Sequence, residues 1–64
     1  MKKYINKIQR NKYVDAEKLT KAVRFSTVRD GITTGRKGFY LVVDGIEVKI
    51  ERPEIFESEY EELK

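Results

Sequence analysis

The chain has 64 residues, 14 Lys/Arg against 11 Asp/Glu for a net charge of +3, and neither histidine nor cysteine. That length restricts it to one domain near the lower bound for independent folding, and the two missing residue types remove disulfide staples, the usual zinc ligands and the ordinary base partner of Ser26 or Ser58. The longest apolar run, Phe39 to Val43, is far too short to span a bilayer.

The opening segment MKKYINKIQRNKY contains no acid. Lys2 and Lys3 are followed only by Tyr4 and Ile5 before Asn6 and Lys7, so the apolar stretch of a secretory signal is missing and a soluble, intracellular chain is expected. Residues 1–40 hold eleven Lys/Arg and three Asp/Glu, whereas residues 41–64 hold three and eight. We expect a basic arm over residues 1–11 joined to a core over 12–60, within a single domain 1–64. Lys2, Lys3, Lys7, Arg10 and Lys12, with Tyr4 interleaved, are candidates for tracking a phosphate backbone and stacking on bases. The plainer alternatives are a solvated tail or a basic surface that pairs with the protein's own acidic C-terminus. Whether residues 1–18 are helix, strand or disordered stays open: Met1, Tyr4, Ile5 and Ile8 suit a short helix, while Tyr4, Asn6 and Ile8 alternate as on a strand.

From Asp15 to Phe25 two patterns compete. Asp15 could cap a helix carrying Ala16, Leu19, Ala22 and Val23 on one face, or Val23, Phe25 and Thr27 could alternate with Arg24, Ser26 and Val28 as a strand. Asp30-Gly31 then marks a turn between possible strands 19–29 and 32–36, pairing Arg29 with Ile32, Val28 with Thr33 and Thr27 with Thr34. Thr34-Gly35-Arg36-Lys37-Gly38 reads as a loop. It lacks the GxxxxGK[ST] spacing of a phosphate-binding loop.

The clearest element is the hairpin 39–50, FYLVVDGIEVKI. A two-residue turn at Asp44-Gly45 would place Val43 opposite Ile46, Leu41 opposite Val48 and Phe39 opposite Ile50, an all-apolar face expected to be core. Tyr40, Val42, Glu47 and Lys49 would then face solvent or a partner. Arg52-Pro53 stops the second strand. Pro53 suits the first turn of a helix over 53–63, with Phe56, Tyr60 and Leu63 on one stripe. The expected fold is α+β but mostly β, a small antiparallel meander with a short C-terminal helix.

Arg52-Pro53-Glu54-Ile55-Phe56-Glu57, with Tyr60 and the acids after it, resembles the "KPDIFEKTYE" ending of the short phage and prophage proteins called PGDYG-type. Lys12-Tyr13 and Ala22-Val23-Arg24-Phe25 are similar to the ends of that family's opening strand, "KYRKKPVVVEAVQF", allowing Arg for Gln. Lys37-Gly38-Phe39-Tyr40 falls where the name-giving "PGDY" stands, and matches it at Gly38 and Tyr40 alone. The resemblance covers residues 12–60 and leaves the basic arm outside. It implies a phage-borne domain, mostly of strands, in the cytoplasm of a bacterial host and with no assigned activity, and it tilts the segment from Leu19 to Phe25 toward strand.

No constellation of residues names a reaction, metal or cofactor. The cluster Glu54, Glu57, Glu59, Glu61 and Glu62 lacks the spaced oxygens and turn glycine of a calcium loop and reads as a solvated face. A chain this small leaves little room for a catalytic pocket, so no enzyme is expected. We expect instead a non-catalytic module that binds a protein partner and modulates a host protein, using Tyr40, Val42, Lys49, Arg52 and Tyr60; Phe56 is assigned to the core. The alternative is nucleic-acid binding by the basic arm with Arg36 and Lys37. Small size and open strand edges also point to a homodimer.

Overall fold

The computed structural model describes residues 1–27 and 31–63. Among these the chain is mostly antiparallel β with one short helix. The strands are β1 (Lys2–Asn6), β2 (Tyr13–Lys18), β3 (Val23–Thr27), β4 (Gly31–Gly35), β5 (Tyr40–Asp44), β6 (Glu47–Glu51) and β7 (Tyr60–Glu62), with α1 (Pro53–Glu59) between the last two. Five of them form one sheet in the order β6-β5-β2-β1-β7, while β3 and β4 stand apart as a two-stranded ribbon.

The open question about the N-terminus is resolved in favour of strands. β1 lies inside the sheet, pairing Tyr4 with Val14 on one side and with Glu62 on the other. Between β1 and β2 the Asn6 side-chain oxygen accepts the backbone N–H groups of Ile8 and Gln9 at 2.9 and 2.8 Å. Such an Asx turn offers the backbone local partners in place of a helix. Val14 and Ala16 are buried while their neighbours are not, so Asp15 caps nothing and sits in a strand whose period is two.

Directly paired residues share a face, which gives the sheet two distinct sides. One side carries Tyr4, Val14, Ala16, Tyr40, Val42 and Tyr60, and α1 closes over it by inserting Phe56. Phe56 stacks on Tyr40 at 4.4 Å and on Tyr60 at 5.0 Å and meets Tyr4 edge-on at 5.0 Å. The opposite side carries Ile5, Tyr13, Leu41, Val43, Val48 and Ile50. There the ribbon crosses: a Cβ placed on Gly35 would come within 2.6 Å of Leu19 Cδ1 and 2.8 Å of Ile50 Cδ1. The ribbon face bearing Val23, Phe25, Thr33 and Gly35 is therefore the inner one.

Four expectations change. In the central hairpin Asp44 pairs with Glu47, Val43 with Val48 and Leu41 with Ile50, so the turn is Gly45-Ile46 and not Asp44-Gly45. Gly45 alone takes a positive φ, +65°, which is the pattern of a turn with glycine first; the alternative would force Asp44 into that region. Each partner moves by two residues, so the same side chains still share a face. The core nevertheless lies on the other face: Val42 is 1% exposed, Leu41, Val43 and Val48 are half-buried, and Ile46 is 98% exposed.

In the ribbon Thr27 pairs with Gly31, Ser26 with Ile32 and Phe25 with Thr33, so the expected Thr27–Thr34 pair does not form. Gly31 takes a φ of +72°, the left-handed position that closes a longer hairpin loop. The expected pairs of Val28 and Arg29, and Asp30 of the turn, lie outside the described residues. Finally, α1 ends at Glu59 rather than reaching residue 63, because Tyr60 is extended and β1 offers an open edge. Asn6 pairs with Tyr60, and the Lys7 N–H donates to the Glu59 carbonyl at 2.8 Å. Leu63 stays 45% exposed and leaves the stripe it was expected to share.

Candidate binding surfaces

Charge pairing across the sheet engages most of the basic N-terminus. Lys2 lies 3.6 Å from Glu62, Lys3 3.8 Å from Asp15 and Lys12 3.4 Å from Asp44. Arg10 pairs with Glu61, and the Lys7 ammonium donates to the Glu57 carbonyl at 2.7 Å. Because β7 runs beside β1, the acidic C-terminus is laid along the basic arm. Each exposed pair is worth at most about 1 kcal/mol. The carboxylates offset the charges of Lys2, Lys3, Arg10 and Lys12 among the cations nominated for a phosphate backbone, and Tyr4 is turned toward Phe56 instead of outward.

The residues nominated for a protein partner divide differently. Tyr40, Val42 and Tyr60 belong to the core under α1, because the helix covers the face that the hairpin pattern leaves polar. Lys49 is half-buried and 3.6 Å from Glu51. Arg52 is exposed; its carbonyl opens α1 by accepting the Phe56 N–H at 2.9 Å.

Around Tyr40 a small polar cluster closes the core. Its hydroxyl donates to Glu57 Oε2 at 2.7 Å, and the Lys18 ammonium sits 3.8 Å from the same oxygen and 5.8 Å from the Tyr40 ring centre. Burial first, then the bond to Glu57 and its charge, push the Tyr40 hydroxyl well above its ordinary value of 10.0. A phenol whose folded value is raised contributes stability that is complete below the unfolded value and is lost as pH rises from there toward the folded value. Stability should therefore fall above pH 10.0, and Tyr40→Phe should flatten that alkaline decline while costing about 0.5–1.5 kcal/mol at neutral pH. Urea titrations of both proteins across the alkaline range measure this directly; an unchanged alkaline slope in the variant would refute the assignment.

Three exposed apolar side chains, Ile8, Tyr13 and Ile46, lie at one end of the sheet, while Met1, Ile32, Ile55 and Leu63 are exposed elsewhere. Pairing of Asp15 with Val43 brings the β1–β2 and β5–β6 turns together, and the Lys12–Asp44 ion pair joins them. Ile8 is 89% exposed in the first turn, Ile46 is 98% exposed in the second, and Tyr13 is 49% exposed at the start of β2. Tyr13 shares its face with Val43 and Val48. The sequence signal that would have revealed this patch is the turn glycine: once Gly45 is placed first in the turn, Ile46 has to sit at the tip.

Arg36 and Lys37 stand at the base of the ribbon, but Thr34 and Gly35, expected in the loop, are paired residues of β4. The Gly38 N–H donates to the Leu19 carbonyl and the Leu19 N–H to the Phe39 carbonyl, both at 2.8 Å. This brings Lys21 to the same end. Lys21 and Arg24 were not among the nominated residues, although the charge count over the ribbon could have found them.

The described residues form two depressions of similar size. One depression of about 320 Å³ is lined by Met1, Lys2, Tyr4, Ala16, Glu17 and Lys18, and a second of about 320 Å³ by residues from Glu17 to Val23. Among the described residues no group of three acidic side chains converges to hold a metal ion. Comparison with family models, curated proteins and solved structures finds no match to this chain.

Proposed function

We propose that the protein is a non-catalytic module that docks on another protein through the sheet end formed by Tyr13, Val43, Val48 and Ile46. The observation that carries this reading is Ile46, 98% exposed at a hairpin tip beside the half-exposed Tyr13. An apolar side chain held out on a tight turn, next to an aromatic ring on a strand, is the arrangement of an interface anchor. Absence of histidine and cysteine from the sequence and the resemblance to short phage accessory proteins support the same reading, in which the partner is a bacterial host protein whose activity is modulated. Of the residues expected to meet a partner, Tyr40, Val42 and Tyr60 are in the core and play no part in the docking surface, and Lys49 and Arg52 lie outside it.

A photo-cross-linking residue at position 46, offered to a nuclease-treated bacterial lysate, should give a protein adduct that Val48→Asp abolishes. The same residue at Glu54, on the outside of α1, should give none. Equal labelling from both positions, or an adduct untouched by Val48→Asp, overturns the proposal. Sedimentation of the purified chain tests the competing occupant, a second copy: a dimer dispersed by Val48→Asp would assign the patch to self-association instead.

A further inference from the structure

We infer that the β3–β4 ribbon is a second binding surface, directed at the phosphate backbone of double-stranded DNA. The inference rests on how the structure distributes its ion pairs. On the five-stranded sheet and its first turn, Lys2, Lys3, Arg10, Lys12, Lys18 and Lys49 all have carboxylate partners. On the ribbon and its base, among the described residues, Lys21, Arg24, Arg36 and Lys37 have none, and all four are exposed. Sequence composition reinforces this segregation, since residues 20–39 hold five Lys/Arg and one Asp. Four exposed cations without a carboxylate partner among the described residues, gathered on one element and its base, present a local positive field there.

Geometry narrows the ligand. The inner face of the ribbon is committed to Leu19 and Ile50, which leaves Arg24, Ser26, Ile32 and Thr34 on the outer face, all exposed. Arg24 pairs directly with Thr34, and Arg36 follows two residues later along the chain. A cation flanked by hydroxyls is the chemistry of phosphate contact. Single-stranded nucleic acid is held chiefly by stacking of bases on aromatic rings. This outer face has no aromatic residue, because Phe25 is turned inward with Thr33. An exposed two-stranded ribbon fits the major groove of B-form DNA, whereas the deep, narrow groove of duplex RNA excludes it.

Fluorescence anisotropy with a labelled DNA duplex of arbitrary sequence tests this. Affinity should be tighter than about 100 μM at low salt and should fall roughly 100-fold for a fourfold rise in salt if four phosphates are neutralised. Replacing Lys21, Arg24, Arg36 or Lys37 singly with glutamine should reduce the salt slope by about 0.9 each. Lys2→Gln and Lys3→Gln, whose cations are already paired, should leave the slope unchanged, and circular dichroism confirms that each variant is folded. Binding weaker than about 100 μM at low salt, equal affinity for single strands, duplex RNA or polyglutamate, or a slope as sensitive to Lys2 and Lys3 as to the ribbon would each overturn the inference.

Discussion

Replacing Phe56 with alanine is expected to unfold most of the protein at 25 °C. Phe56 is 1% exposed and is the only side chain of α1 that is buried. It touches Tyr4, Tyr40 and Tyr60, which come from β1, β5 and β7. Truncating a buried phenylalanine costs about 3–5 kcal/mol through lost burial and the cavity left behind. A chain of this length has roughly 3–10 kcal/mol in total. Circular dichroism with urea titration should show a variant without a cooperative folded baseline. Full retention of the wild-type midpoint would mean that the helix does not close the core.

The second large effect separates the two faces of the hairpin. Val42→Asn removes a fully buried side chain and leaves an amide among Val14, Ala16 and Phe56, for a combined loss of roughly 3–6 kcal/mol. Val48→Asn acts on the half-buried face and should cost about 1 kcal/mol, leaving a folded protein. Comparing the two urea midpoints decides the matter. Equal losses, or a larger one at Val48, would place the main core on the ribbon side of the sheet.

These two experiments bear on function as well as stability. If Val48 variants fold, loss of cross-linking at position 46 can be ascribed to the docking surface. The DNA reading uses other residues on another element, so it survives or fails independently of that result.

The sequence by itself determined much of the local structure. The hairpin around Asp44-Gly45, the second reversal near Gly31, the stop at Pro53 and the start of α1 all follow from residues that restrict the backbone where they stand. Which hairpin side chains share a face was also legible, because the observed register differs from the simplest one by an even step and pleating has a period of two.

Only the tertiary structure decided which of those faces becomes the core. Tyr40 and Val42 read as an outer surface until α1 and Phe56 cover them, and Leu41 and Val43 read as core although the ribbon shields them only in part. Burial depends on what packs against a strand, which the strand's own sequence does not encode. The end of α1 is decided in the same way: the stripe of Phe56, Tyr60 and Leu63 satisfies a helix locally, but the unpaired edge of β1 offers Tyr60 ladder hydrogen bonds and the chain extends. That same pairing sets Glu61 and Glu62 against Arg10 and Lys2. It thereby offsets the charge of those two cations, whereas Lys21, Arg24, Arg36 and Lys37, on the ribbon and at its base, have no carboxylate partner among the described residues.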